Sequence, residues 1–84
     1  ALTKSLALEL APHTRVNTVS PGLIDTRMMR GMTDEKRRAM MAATPLARLG
    51  QPEEIADVIL FLCSQAASFI TGETIHVNGG LYRQ

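Results

Sequence analysis

A strand that ends at a Pro-Gly pair constrains this chain more than any other feature of its sequence. The strand is predicted over about Arg15–Ser20, where Val16 and Val19 are separated by polar side chains. Pro21 and Gly22 end it, because proline cannot donate a backbone hydrogen bond and glycine adopts conformations closed to other residues. The chain therefore turns sharply at the carboxyl end of a β-strand.

A helix is predicted before this strand. Leu2, Leu6 and Leu10 recur every four residues, which predicts a helix over about Ala1–Leu10, and Pro12 stops it. A helix, a short turn and a β-branched strand in succession are typical of half of a β-α-β unit, so the sequence predicts an α/β fold. The helix begins without an N-cap, from which we expect these residues to be a segment of a longer chain.

Further helices and a second strand follow. Thr33 is a predicted N-cap for a helix that ends near Ala43, and Pro52 is predicted at the first position of the next helix. A loop is predicted over Ser64–Ser68 and a second strand over Glu73–Asn78, bounded by glycines. The expected order is helix, strand, lid helices, helix and strand.

The helix after Pro52 is apolar on nearly all sides between Ile55 and Cys63. Such a helix is predicted to be buried on more than one side, against a sheet and against a partner subunit. Two short strands and three helices bury little surface, so we expect the 84 residues by themselves to be unstable, molten or oligomeric.

The composition argues against several classes of function. A net charge of +1 provides no electrostatic basis for binding nucleic acid or an anionic membrane. The longest apolar run is too short to span a bilayer, and Lys4 and Glu9 interrupt the apolar N-terminal stretch, so we expect neither membrane nor signal peptide. A single cysteine, Cys63, is compatible with the reducing cytoplasm, which is the predicted location. No metal is expected, because His13 and His76 lie far apart without a cysteine or carboxylate cluster.

Residues 21–26, Pro-Gly-Leu-Ile-Asp-Thr, admit two interpretations. At the carboxyl end of a parallel strand, where open α/β sheets bind ligands, a backbone N–H and a hydroxyl two residues apart can hold an amide or a phosphate. Alternatively, the segment is an ordinary turn. Pro-Gly pairs are so common that the residues by themselves favour the turn.

All five methionines lie between residues 28 and 41, and the segment Leu23–Met32 shows no clear period. Flexible methionine side chains suit an adaptable apolar surface, so Met28 and Met29 are candidate substrate contacts on a mobile lid. Met40 and Met41 suit the core of a helix. The basic side chains of the segment are interpreted as a solvated face, with recognition of an acidic carrier protein as the alternative: Arg27, Arg30, Lys36, Arg37 and Arg38.

The run Arg15–Thr26 followed by Thr71–Gly80 resembles the C-terminal part of the short-chain dehydrogenase/reductase family. The resemblance implies a Rossmann-like, doubly wound parallel sheet, with residues 1–84 as the C-terminal segment of one domain whose dinucleotide-binding N-terminal half is absent. It also implies hydride transfer with NAD(P) between a carbonyl and an alcohol. The stretch Pro45–Glu54 is similar to the 3-oxoacyl carrier protein reductases, and also to sugar, alcohol and steroid dehydrogenases of the family.

The same resemblance assigns binding roles. Four residues would hold the nicotinamide end of the cofactor: Pro21, Gly22, Ile24 and Thr26. The backbone of Ile24 would bind the carboxamide, and Thr26 would contact the carboxamide or the pyrophosphate. Met28 and Met29 fall in the variable substrate-binding segment, and Asn78-Gly79-Gly80 matches a structural turn near the subunit interface.

The family's catalytic Tyr-x-x-x-Lys is not found in these residues. Tyr82 is the only tyrosine, and only two residues follow it. The segment is therefore expected to contain no catalytic residue and to be inactive by itself. A 3-oxoacyl thioester is the first expected substrate of the whole protein, a small alcohol or sugar the second, and a homodimer or homotetramer the expected assembly. The alternative function is a non-catalytic fragment that acts as an oligomerisation module.

Overall fold

The computed structural model describes residues 2–81. Its regular elements are three α-helices, two strands and two short 3-10 helices: α1 (Leu2–Leu10), β1 (Thr18–Pro21), a 3-10 helix (Arg27–Gly31), α2 (Asp34–Ala43), α3 (Pro52–Leu62), a second 3-10 helix (Gln65–Ala67) and β2 (Thr74–Val77). The elements follow the expected order of helix, strand, helices, helix and strand, and the lid role of the middle helices stays a prediction. The predicted loop at residues 64–68 differs, because it contains the second 3-10 turn.

The two strands pair in parallel, with Thr18 opposite Thr74 and Pro21 opposite Val77. Both strands therefore end at the same edge of the sheet. Each is shorter than predicted. The sequence places Val16 in the first strand, but its backbone bonds to the segment before β2 instead. Its N–H donates to Thr71 Oγ1 at 3.0 Å, and its carbonyl accepts from the Gly72 N–H at 2.7 Å.

Helix α1 packs against the start of both strands. Ala7 is buried, and the backbone of Gly72 passes so close that an added Cβ would lie 3.5 Å from the Ala7 Cβ. The Thr3 and Thr18 hydroxyls are hydrogen bonded, and Lys4 Nζ donates to the Gly72 carbonyl at 3.2 Å. These contacts set the position of the helix on the sheet.

Two polar side chains just before β1 join it to distant segments. Arg15 Nη2 donates to the Leu62 carbonyl at 2.8 Å, which satisfies an acceptor at the end of α3. The Asn17 amide donates to the Ile70 carbonyl and accepts from the Glu73 N–H, both at 3.0 Å. These bonds hold the approach to β2 beside β1.

The predicted helix starts of α2 and α3 are confirmed. The Thr33 hydroxyl accepts a hydrogen bond from the Lys36 N–H at 3.2 Å, as an N-cap does. Pro52 occupies the first turn of α3, and the Glu54 side chain accepts the Gln51 N–H at 2.8 Å, which satisfies a free donor at the helix start. Both starts are local features, which explains why the sequence alone predicts them.

The core is small. Four hydrophobic side chains are buried among residues 2–81, namely Ala7, Leu49, Leu62 and Ala67. Leu62 is the only buried side chain of α3 among residues 2–81, so burial of this helix on more than one side, against a sheet and a partner subunit, stays a prediction. Leu60 is 67% exposed, with Ile59 and Phe61 at 46% each, so most of the apolar surface of α3 is left open.

Within residues 2–81, none of the helices has the length and apolar character needed to cross a membrane.

Candidate functional site

The loop that follows β1 lies against the end of β2. The Gly22 N–H donates to the Val77 carbonyl at 3.0 Å, which extends the parallel pairing by one bond. A Cβ at position 22 would lie 2.7 Å from the Cα of Asn78, closer than real Cβ atoms come to backbone. Gly22 is therefore required by the close approach of two backbone segments.

Beyond Gly22, the loop is held by a second backbone contact. Ile24 and Gly50 form an isolated parallel bridge, in which the Gly50 N–H donates to the Leu23 carbonyl at 2.9 Å and the Asp25 N–H donates to the Gly50 carbonyl at 2.8 Å. In a parallel bridge of this kind, the N–H and C=O of Ile24 point away from Gly50. No hydrogen bond among residues 2–81 uses either group.

Thr26 follows at the end of the loop with extended backbone, before the 3-10 helix. Its carbonyl accepts from the Met29 N–H at 3.0 Å, but its hydroxyl makes no capping bond. Thr26 is exposed. Within the part of the chain that the structure describes, the loop thus presents an unpaired amide, an unpaired carbonyl and an unpaired hydroxyl within three residues.

Two open cavities flank this loop. One, of about 410 Å³, is lined by Pro21 and Gly22 together with residues at the end of β2. The other, of about 460 Å³, is lined by Ile24 and by segments before α3 and after β2. Leu23 borders both. Three of the four predicted cofactor residues therefore line cavities at the carboxyl edge of the sheet, and Thr26 lines neither.

Met28 and Met29 lie on the 3-10 helix directly after the loop. Met28 is 88% exposed, whereas Met29 is half-buried. Neither side chain lines one of the two cavities beside the loop. The Met28 side chain is thus accessible to another molecule, whereas the Met29 side chain is partly packed against the rest of the protein.

Arg37 corrects the prediction of a solvated basic face. Its side chain is 27% exposed, and its Nη1 donates to the Met29 carbonyl at 3.1 Å. Its Nη2 lies 3.5 Å from Asp25 Oδ1. Asp25 and Arg37 lie on either side of the 3-10 helix, so no helical spacing in the sequence indicates the pair.

Arg48 and Glu54 form a bidentate ion pair beside Gly50, with N–O distances of 2.7 and 2.8 Å. Glu54 Oε1 also accepts the Gln51 N–H at 2.8 Å. The Arg48 hydrogen bonds, followed by the Gln51 bond, lower the pKa of Glu54 to about 2. The same pair raises the pKa of Arg48. It links the segment that carries Gly50 to the start of α3.

The Asn78-Gly79-Gly80 segment forms the predicted turn. Asn78 Oδ1 accepts the Gly80 N–H at 3.0 Å, and the Asn78 carbonyl accepts the Leu81 N–H at 3.0 Å. Gly79 has a φ of +60° and its carbonyl accepts the Leu46 N–H at 3.0 Å. The turn therefore packs on the segment between α2 and α3 and closes one side of the larger cavity.

Among residues 2–81, no group of three or more histidine, cysteine, aspartate or glutamate side chains is arranged to hold a metal ion.

Residues 1–82 match the family described as enoyl-(acyl carrier protein) reductase. The chain is 58% identical to a solved short-chain dehydrogenase/reductase from Brucella melitensis, a glucose/ribitol dehydrogenase by name, with a TM-score of 0.89 over 99% of this chain and 34% of that one. The chain belongs to the short-chain dehydrogenase/reductase family.

Other members of the short-chain dehydrogenase/reductase family are about 50% identical to the chain. The 3-oxoacyl-[acyl-carrier-protein] reductase FabG of Aquifex aeolicus is 54% identical over 95% of this chain and 33% of its own length. FabG of Escherichia coli K12 is 49% identical over the same shares. The solved 3-oxoacyl-[acyl-carrier protein] reductase of Brucella melitensis has a TM-score of 0.93 at 50% identity, over 99% of this chain and 31% of that one.

The chain thus spans about one third of the length of the relatives that it matches. The α/β fold with parallel strands agrees with these neighbours, which confirms the predicted family and the α/β fold class.

In this short-chain dehydrogenase/reductase segment, the Arg48–Glu54 pair predicts a pH dependence. The folded pKa of Glu54, about 2, lies below its ordinary value of 4.5. The pair therefore stabilises the fold fully above about pH 4.5, and this contribution is lost as the pH falls towards 2. We expect Glu54→Gln to remove that part of the pH dependence, measured as the urea midpoint between pH 5 and pH 2. Glu53→Gln, one residue away and exposed, is the control. An identical pH profile for Glu54→Gln and wild type would contradict the assignment.

Proposed function

We propose that this chain is the C-terminal segment of an NAD(P)-dependent reductase that interconverts a carbonyl and an alcohol. The observation that carries the proposal is the loop at the carboxyl edge of the parallel sheet, where the N–H and C=O of Ile24 and the Thr26 hydroxyl have no partner among residues 2–81. This edge is where open α/β sheets bind ligands. The family membership supports a nicotinamide as that ligand.

The unpaired groups fit a nicotinamide. Its carboxamide has one carbonyl acceptor and one amide donor, which complement the N–H and C=O of a single residue such as Ile24. The Thr26 hydroxyl can donate to a carbonyl or to a phosphate oxygen. Pro21 and Gly22 would let the ligand approach the backbone closely, because neither places a long side chain over the strand end. The cofactor would supply the hydride, and these residues would bind and orient its ring.

The proposed substrate is a 3-oxoacyl thioester on a carrier protein. The relatives that are 49 to 54% identical over nearly the whole chain carry that name, whereas the matching family is described by an enoyl substrate. Met28, which projects into solvent beside the loop, is proposed to contact the acyl chain, with Met29 anchoring the lid. A small alcohol or sugar is the second substrate class, favoured by the similarity to the solved glucose/ribitol dehydrogenase.

Catalysis itself is proposed to depend on residues outside this chain. No Tyr-x-x-x-Lys occurs within the 84 residues given. The 84 residues alone are therefore proposed to be inactive.

A second role is favoured by the open apolar surface of α3. Ile59, Leu60 and Phe61 are each at least 46% exposed among residues 2–81. Contiguous exposed apolar surface marks sites of association. We propose that α3 contributes to a homo-oligomer interface, which is also the function expected if the chain acts only as an oligomerisation module.

Replacing Thr26 with alanine tests the cofactor assignment. In the intact reductase we expect the dissociation constant for NADH or NADPH to rise by about two- to tenfold, the loss of one hydrogen bond of about 0.5–1.5 kcal/mol. The measurement is cofactor fluorescence titration of the purified variant. Thr14→Ala, an exposed threonine in the turn before β1, is the control and should bind as wild type does. An unchanged dissociation constant for Thr26→Ala would reject this residue as a cofactor ligand.

A further inference from the structure

Arg37 connects three segments of the candidate site. It belongs to α2, it reaches the Met29 carbonyl on the 3-10 helix, and it lies 3.5 Å from the Asp25 carboxylate in the loop. We propose that Arg37 is a positioning residue that couples the nicotinamide loop to the substrate lid, so that cofactor bound at the loop also orders the Met28 helix. This inference rests on the proposed function for the roles of the loop and the lid.

The loop side of this connection is held by a backbone hydrogen bond. Asp25 sits between the two proposed cofactor contacts, Ile24 and Thr26, and its own N–H is bonded to Gly50 at 2.8 Å. Its Oδ1 is buried and accepts no hydrogen bond among the described residues, so the Arg37 guanidinium is the cation that offsets its charge. A buried carboxylate oxygen without such a partner is costly, which keeps the guanidinium at this position.

The lid side is weakly held by comparison. The 3-10 helix is five residues long and contains no buried residue. Short 3-10 helices have poor hydrogen-bond geometry and little stability of their own. The Arg37 bond to the Met29 carbonyl is thus a tertiary contact of a 3-10 helix that has no buried residue to hold it in place. If the Asp25 loop moves, the Arg37 guanidinium, which contacts both Asp25 and the Met29 carbonyl, moves the backbone of the 3-10 helix that carries Met28.

Neutralising Arg37 separates the coupling from simple packing. We compare wild type, Arg37→Gln, Asp25→Asn and the double variant in the intact reductase, with Arg38→Gln as the matched control. Arg38 is the next residue of the same helix, is exposed and carries the same charge. Two properties are measured: amide hydrogen exchange of residues 27–32 with and without NADPH or NADH, and the kinetics with a small 3-oxoacyl thioester.

In wild type and Arg38→Gln we expect bound cofactor to slow exchange in residues 27–32. In Arg37→Gln we expect this slowing to disappear and the KM for the thioester to rise at least about fivefold. The cofactor dissociation constant should change less than about twofold, because Gly50 still holds the loop. The double variant should be no worse than the more affected single variant, since both remove the same connection.

Three results would overturn the coupling: equal effects in Arg38→Gln, additive effects in the double variant, or cofactor protection of the lid that persists in Arg37→Gln. A wild-type protein that binds neither nicotinamide would instead overturn the proposed function, and the coupling with it. Cofactor binding by wild type combined with persistent lid protection in Arg37→Gln would overturn only the role of Arg37.

Discussion

Replacing Gly22 with alanine should destabilise the protein by about 1–3 kcal/mol and weaken cofactor binding at least about tenfold. The added Cβ would lie 2.7 Å from both the Cα and the Cβ of Asn78, and backbone cannot yield as a flexible side chain does. Relief requires the loop to move away from the end of β2, which strains the bond from the Gly22 N–H to the Val77 carbonyl. Stability is measured by urea denaturation and affinity by cofactor titration.

Gly31→Ala is the matched control for this substitution. Gly31 ends the 3-10 helix, and nothing lies within 4 Å of the Cβ that alanine would add there. Its replacement should leave the urea midpoint unchanged or slightly raised, because alanine restricts the unfolded chain. Equal destabilisation by both variants would show that the close approach of Gly22 to Asn78 does not govern this loop.

Replacing Gly79 with alanine should lower the free energy of unfolding by about 2–4 kcal/mol, a larger loss than that expected for Gly22→Ala. Its φ of +60° is unfavourable for any residue with a Cβ, by about 1–2 kcal/mol. In addition, the new Cβ would lie 2.9 Å from Cγ2 of Thr44, which is itself buried and bonded through its hydroxyl to the Met40 carbonyl. The urea midpoint and slope of the intact protein measure the loss.

Gly72→Ala separates the cost of the positive φ from the cost of the close contact with Thr44. Gly72 also has a positive φ, of +77°, but an added Cβ would meet the Ala7 Cβ at an ordinary 3.5 Å. This variant should therefore lose only the conformational part, about 1–2 kcal/mol. If Gly72→Ala were as damaging as Gly79→Ala, the contact with Thr44 would contribute nothing.

The candidate site is built on close backbone contacts between segments far apart in sequence. The loop after β1 rests on the end of β2 at Gly22 and on the segment before α3 at Gly50. The turn at Gly79 presses on the segment after α2. Three connecting segments thus meet at one edge of the sheet. The backbone groups of Ile24 and the Thr26 hydroxyl, which have no partner among residues 2–81, lie at the same edge.

Much of this architecture follows from local patterns. The strand that ends at Pro21-Gly22, the Thr33 cap, the Pro52 helix start and the glycine turn after β2 all appear where the sequence predicts them. Each depends on backbone preferences and hydrogen bonds within a few residues, which are visible in a linear sequence. The motifs in their order also predict the family that the comparisons confirm.

Other features could not be read from the sequence. Arg37 has the pattern of a solvated cation, but its side chain bonds to the Met29 carbonyl and lies 3.5 Å from Asp25. Arg15 and Asn17 fall in the predicted strand and instead bond to carbonyls at positions 62 and 70.

The sequence by itself determined the order of the helices and strands, the starts of α2 and α3 and the family to which the chain belongs, because those properties depend on short-range preferences and on motif order. Only the tertiary structure decided which polar groups of the described residues are paired and which are not. That depends on how segments distant in sequence meet in space, and no spacing along the chain records it.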